Sequence, residues 1–216
     1  HMPSRRQRQM CIRDRDSSRE DLVAHVYDIT YKTVKPTDNL IVIDDSIVRG
    51  TTLKKSILKI LDRLSPKKIV VVSSAPQIRY PDCYGIDMAR LEDLIAFQAM
   101  LALLTEYDKE SMLETVYKAA KAEMKKPDVE ATNVVNALYE AFSTDQISKK
   151  IAQLVKEDGI RSEVEVIFQD VESLHQACPK NLGDWYFTGN YPTPGGNRVA
   201  NQAFINFIEG NKQRAY

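Results

Sequence analysis

Leu40-Ile41-Val42-Ile43-Asp44-Asp45-Ser46-Ile47-Val48-Arg49-Gly50-Thr51-Thr52 is the stretch on which the fold turns. Its first four residues are a short, unbroken apolar run, as expected of a strand buried on both faces of a parallel sheet. Leu53, Ile57, Ile60, Leu61 and Leu64 then recur at helical spacing, and Ser65-Pro66 closes that helix. A second apolar run follows at Ile69-Val70-Val71-Val72. Strand, helix and strand in this order make a right-handed βαβ unit, so the chain is expected to be α/β and built on a parallel sheet.

The residues between the first strand and its helix carry the chemistry. Ligands of open α/β sheets bind outside the carboxyl ends of the strands, which is where 44–52 fall. A helix N-terminus offers unpaired backbone N–H groups and the positive end of a dipole, so phosphate binds there readily. Gly50 lets the backbone turn tightly without a Cβ. The hydroxyls of Ser46, Thr51 and Thr52 can donate to phosphate oxygens, and Thr51 is expected to cap the helix. Asp44 and Asp45 can accept from a vicinal diol or hold Mg²⁺, directly or through its waters. A diol at one end and a phosphate at the other describe a ribose 5-phosphate. An acidic pair after a strand also occurs in phosphate-transfer receivers and unrelated Mg²⁺ sites, and a Thr-Thr pair can merely start a helix. The combination is the specific signal. The competing phosphate loops GxGxxG and GxxxxGK[ST] do not occur, and neither does HExxH.

Outward from this centre, residues 23–34 are rich in Val, Ile, Tyr and Thr and are expected to be extended or a hairpin. Lys35-Pro36-Thr37-Asp38-Asn39 is a turn. A loop over 73–85 leads to a helix from about residue 89 to 104, and 107–157 is expected to be helical throughout. Met112, Leu113, Val116, Tyr117, Ala120 and Met124 line one face of that block. Ile147, Ile151, Leu154 and Val155 line another, after a cap at Ser143 or Thr144. Residues 163–168 alternate as a strand does, and 191–197, with two prolines and two glycines, are expected to be a loop. Residues 1–16 hold most of an arginine-rich leader (Arg5, Arg6, Arg8, Arg13, Arg15) without periodicity, read as foreign to the fold. Hydrophobic residues make up 43% and charged residues 28%, as in soluble globular proteins. Lys+Arg and Asp+Glu are both 30, so no basic excess points to nucleic acid. No apolar run is long enough to cross a bilayer, and no membrane partner is expected. Cys11, Cys83 and Cys178 are isolated and read as free thiols, which suits a cytoplasmic protein.

Residues 40–52 resemble the phosphoribosyl pyrophosphate (PRPP) loop of type I phosphoribosyltransferases. The version Asp44-Asp45-Ser46-Ile47-Val48-Arg49-Gly50-Thr51-Thr52 is similar to that of the glutamine amidophosphoribosyltransferase family, which performs the first committed step of purine synthesis. Ser74-Ala75-Pro76-Gln77-Ile78-Arg79-Tyr80-Pro81, Tyr84-Gly85-Ile86-Asp87-Met88 and Thr188-Gly189-Asn190-Tyr191-Pro192-Thr193 extend the similarity. The resemblance implies transfer of glutamine-derived ammonia onto carbon 1 of PRPP, giving 5-phosphoribosylamine and pyrophosphate. It implies that Asp44 and Asp45 meet the ribose hydroxyls and Mg²⁺, and that residues 46–52 hold the 5-phosphate. It further implies a homo-oligomer. Arg79 could meet a phosphate or serve a structural salt bridge; both readings stay open.

The sequence departs from the family in its parts. The glutaminase domain with its N-terminal cysteine, the pyrophosphate loop and the mobile lid are not found in it, so a C-terminal fragment inactive on its own is expected. The cysteines that ligate an iron–sulfur cluster in some members correspond to Gly183 and Tyr186, so no cluster is expected. His25 and His175 have no acidic or cysteine partner at ligand spacing. The expected division is a leader at 1–16, a partial phosphoribosyltransferase domain at 17–104, a helical insertion at 105–160, and a C-terminal strand, helix and tail at 161–216. Two other functions compete: a base-salvage phosphoribosyltransferase, and a regulatory module that senses PRPP without catalysis.

Overall fold

The computed structural model describes residues 33–83, 88–180 and 183–215. The leader, His25 and nearly all of the segment 23–34 lie outside them. Three strands, β1 (Asn39–Asp44), β2 (Lys68–Ser73) and β3 (Glu163–Phe168), form one parallel sheet in the order β1-β2-β3. The register sets Asn39 beside Lys68 and Lys68 beside Glu163, so the three carboxyl ends are level. The α/β parallel architecture read from the sequence is the one observed.

Parallel neighbours need connections that cross a face of the sheet. The first runs through a π-helical turn (Leu53–Ile57) into α1 (Leu58–Asp62). The second holds a 3₁₀ turn (Leu91–Asp93), α2 (Ile95–Glu106), α3 (Ser111–Glu123), a 3₁₀ turn (Asp128–Glu130), α4 (Asn136–Glu140) and α5 (Thr144–Val155). After β3 come α6 (Val171–Ala177), α7 (Trp185–Thr188) and α8 (Pro194–Ile208). The helix expected from residue 89 begins at Ile95, because Arg90 and Leu94 are extended and Arg90 is held at 2.8 Å by Asp93. The block 107–157 is interrupted by extended residues around Pro127 and Ala131 rather than helical throughout. Ser143 caps α5 in a reciprocal capping box with Gln146.

The expected loop at 191–197 is corrected: Pro194 opens α8, a position where its fixed φ suits a helix and its missing N–H costs nothing. Gly196, one turn in, is pressed on Tyr191, whose Cδ1 would lie 2.4 Å from an added Cβ. Gly196 thus serves packing, whereas a Cβ on Gly195 would meet nothing within 4 Å.

One apolar cluster joins the sheet to the helices, running from Ile47 and Leu53 through Ile69, Val71, Phe97, Ile151 and Val166 to Phe204. Phe97 meets Phe207 edge-on at 5.0 Å between centroids. All of this lies on one side of the sheet. On the other, Ile41 is 69% and Ile43 74% exposed, and Ile167, in register with Ile43, is 44% exposed. The expectation that 40–43 is buried on both faces is therefore corrected for the described residues. Both crossovers step in the same direction along the sheet, and right-handed connections then fall on the same face. Among the described residues no helix is long and apolar enough to cross a membrane.

Asp62, at the end of α1, ties this layer to β3. Its buried Oδ1 accepts from Arg161 N (3.1 Å), Ser162 N (2.9 Å) and Ser162 Oγ (2.7 Å). Burial works against its charge, but the Ser162 and Arg161 bonds outweigh it and hold the carboxyl below its ordinary range. A carboxyl lowered on folding stabilises above its unfolded pKa and ceases to do so as pH falls through the folded one. Asp62→Ala should lower unfolding free energy by about 1.5–3 kcal/mol at neutral pH. Denaturant titrations should show the gap to wild type closing as the solution is acidified past the ordinary carboxylate range.

Candidate functional site

β1 ends at Asp44, and the two residues after β2 keep pairing with it and with Asp45: Ser74 N donates to Asp44 O and Ala75 N to Asp45 O, at 2.9 and 3.0 Å. The two carboxylates turn back on the chain. Asp44 Oδ1 accepts Asp45 N (3.0 Å) and Asp45 Oδ1 accepts Ser46 N (2.7 Å), which fixes both side chains at the sheet's carboxyl end. Burial pushes the Asp44 pKa up; the Asp45 N–H bond opposes this, and the Asp45 charge adds to it. A pair of this kind attracts cations and accepts hydroxyl protons.

The loop beyond is pinned from beneath. Ile47 is buried in the core, so it contributes backbone and no side chain to a ligand. Val48 O accepts from Ile95 N at 2.8 Å, which spends that carbonyl on α2. Gly50 has φ +68, and an added Cβ would sit 3.1 Å from Val155 Cγ1 and 3.3 Å from Ile95 Cγ1. Glycine is required here twice over, by backbone hand and by close approach. Gly50 O accepts Lys54 N at 2.9 Å, so helical bonding starts at Gly50. Thr51 and Thr52 are helical already, and Thr52 makes no side-chain cap. The expected Thr51 cap is corrected: the helix starts without one, and both hydroxyls are exposed in its first turn, where N–H groups have no intrahelical partner. Ser46 is partly exposed and Arg49 exposed at the mouth of the loop.

Residues 44–52 thus lie together, as their spacing requires. Two features were not foreseen. The π-helical turn, in which Leu58 N reaches Leu53 O, widens the helix directly behind the loop; nothing in a pattern read at helical period distinguishes it. Gln77 donates to Thr144 O at 2.9 Å across 67 residues of chain, a pairing that no local pattern can reveal. One expectation is reversed: His175 Nε2 lies 3.2 Å from Asp184 Oδ2 and so has an acidic neighbour. Among the described residues no group of three or more His, Cys, Asp or Glu forms a metal cage. The acidic pair fits Mg²⁺ only in the manner of sites completed by a ligand's phosphates and by water. Each carboxylate spends its Oδ1 on a backbone N–H, so Oδ2 is the oxygen each would offer.

No family model matches the chain. Several curated amidophosphoribosyltransferases match part of it. That of Haemophilus influenzae is 46% identical over 68 residues, 32% of this chain and 13% of the relative. That of Escherichia coli is 47% identical over 58 residues, 27% of this chain and 11% of the relative. The Schizosaccharomyces pombe protein is 44% identical over 59 residues, 27% of this chain and 11% of the relative. The chain therefore carries a stretch of amidophosphoribosyltransferase-like sequence and spans a small part of the length of those relatives.

Gly50→Ala should cost about 1–2 kcal/mol for the left-handed backbone alone, before the contacts with Val155 and Ile95 are relieved. A fall of several degrees in the thermal midpoint is the expected reading. An unchanged midpoint would mean that the loop relaxes freely.

Proposed function

We propose that residues 44–52 bind the ribose 5-phosphate portion of PRPP, and that the chain supplies this part of an amidophosphoribosyltransferase site. The observation that carries the reading is the juxtaposition at one strand end of an acidic pair and an uncapped helix start with two exposed threonine hydroxyls. The 5-phosphate would accept from the first-turn N–H groups and from Ser46, Thr51 and Thr52. Gly50, lacking a Cβ, lets the backbone come close to it. At the other end of the sugar, Asp44 and Asp45 would accept from the 2- and 3-hydroxyls. The similar sequences, named for amidophosphoribosyl transfer, support this assignment of ligand.

In that reaction ammonia attacks carbon 1, the bond to pyrophosphate breaks, and the sugar becomes cation-like between them. Carboxylates held near the ribose stabilise such a charge, and their fixed orientation means that no reorganisation is needed as it develops. Asp44 and Asp45 would also help to hold Mg²⁺, which when bound offsets the charge of the departing pyrophosphate. No residue of the loop has to form a covalent bond. Its work is to place carbon 1 and keep the sugar from turning. The glutamine-derived supply of ammonia, and a homo-oligomeric state, belong to the same reading.

Calorimetric titration of the full chain with PRPP and Mg²⁺ should show saturable binding. An Asp44→Asn/Asp45→Asn variant that keeps its thermal midpoint should bind at least about tenfold more weakly, the loss of about 1.4 kcal/mol being a modest value for charged acceptors. Because Asp44's folded pKa is raised, chiefly by burial, binding should weaken on acidification through that pKa, starting from above the ordinary carboxylate range. Equal affinity of the variant and wild type would sink the assignment.

A further inference from the structure

The segment that leaves β2 carries Arg79 onto the wall of a groove of about 1070 Å³, whose other walls are α5 and β3. Among the described residues, neutral groups alone hold its guanidinium. Nε and Nη2 both donate to Gln77 Oε1, at 3.1 and 2.8 Å, and Nη2 also donates to Thr144 Oγ1 at 3.1 Å. Gln77 cannot reverse its amide, because Nε2 donates to Thr144 O (2.9 Å) and Ser148 Oγ (2.8 Å). Its oxygen is therefore locked toward Arg79. Tyr139 flanks the cation from another side, its ring centre 5.3 Å from Cζ, and its hydroxyl donates to Arg79 O at 2.8 Å. Among the described residues no carboxylate pairs with Arg79, and Nη1 has no hydrogen-bond partner.

This is an unusual way to keep a cation. Withdrawing a guanidinium from water is costly unless an anion compensates, and burial is indeed the main influence on Arg79, pulling its pKa down. The Nε/Nη2 edge, which elsewhere takes a carboxylate in a fork, is here filled by an amide oxygen. An amide orients the group and leaves its charge intact. The ring of Tyr139 offsets part of the cost, but it does not neutralise the cation. The salt-bridge alternative left open by the sequence thus finds no partner among the described residues.

We infer that Arg79 anchors an oxyanion-binding site in the groove between α5 and β3, accepting one phosphate or carboxylate group of a small molecule. The groove has the volume of a small-molecule pocket. Lys149 on its wall adds a cation near Arg79, but the lining also holds five carboxylates, Asp145, Glu163, Glu165, Asp170 and Glu172, which disfavour an extended anion, so a single charged head group held at Arg79 fits best. Phe187 offers apolar surface to the remainder of such a ligand. The inference stands on residues other than 44–52 and does not depend on the reading of that loop.

The side-chain Nε–H resonance of Arg79, identified by its loss in Arg79→Gln, gives a local readout in the full chain. Titration with inorganic phosphate, and separately with benzoate, at constant ionic strength should move that resonance saturably in at least one arm; which arm responds distinguishes phosphate from carboxylate. Gln77→Glu puts a carboxylate into the fork but sets its second oxygen against Thr144 O, so its thermal midpoint is measured alongside. The folded variant should bind the anion at least about tenfold more weakly, and Thr144→Asp, which places a carboxylate at the exposed position beside Nη2 and keeps the Gln77 bonds to Thr144 O and Ser148 Oγ, should do the same. In Thr51→Val/Thr52→Val, which impairs the other proposed site, the Arg79 response should persist. A resonance unmoved by both anions, or moved equally in Gln77→Glu, overturns the proposal.

Discussion

Two parallel strands lying side by side cannot be joined by a tight turn, and the rest of the molecule depends on that constraint. The chain must leave β1 at its carboxyl end, cross the sheet and re-enter at the opposite end. The crossing element consequently starts beside the strand's last residues. Asp44 and Asp45 on one side and the first helical N–H groups on the other are placed by topology. What the sequence adds is how firmly the place is held: Ile47 in the core, Val48 O on Ile95 N, and Gly50 wedged against Val155 and Ile95. At the far end of the crossing, Asp62 binds the chain that enters β3, so the layer is closed at both ends.

Charge is handled in opposite ways at the two strand ends that matter. On β1 two negative groups are neighbours, each steadied by a backbone N–H and neither paired with a cation through any hydrogen bond in the loop. Past β2 a positive group is steadied by an amide oxygen, a hydroxyl and a ring. Among the described residues neither arrangement has a compensating ion pair. Structural ion pairs elsewhere behave otherwise, as with Lys68 between Glu163 and Glu165 at 3.0 and 2.7 Å.

Much of this was legible from residue order alone. The apolar runs at 40–43 and 69–72 gave the strands, the spacing of Leu53, Ile57 and Leu61 gave the crossing helix, and the alternation at 163–168 gave β3. The loop was legible because all its parts are contiguous. What escaped was of two kinds. Some features are set by neighbours distant in sequence: the Gln77–Thr144 bond, the His175–Asp184 approach, and the bare side of β1, which has the same apolar composition as a covered one. Others turn on backbone detail that side-chain pattern does not encode. Pro194 with two glycines read as a loop because composition is blind to Tyr191 packing on Gly196, and the π-helical turn at Leu53–Ile57 shifts the buried face, so that Leu58 and Asp62 are buried where the helical spacing had put Ile57 and Leu61.

The outward side of β1 has a thermodynamic consequence. Unfolding raises heat capacity in proportion to the apolar area newly hydrated. Ile41, Ile43 and Ile167 already meet water in the described fold, so their hydration adds little when the chain unfolds. The stability of this layer should accordingly curve less with temperature than its size suggests. Any second layer laid over those three side chains would register first as a rise in that curvature, before any new contact could be assigned.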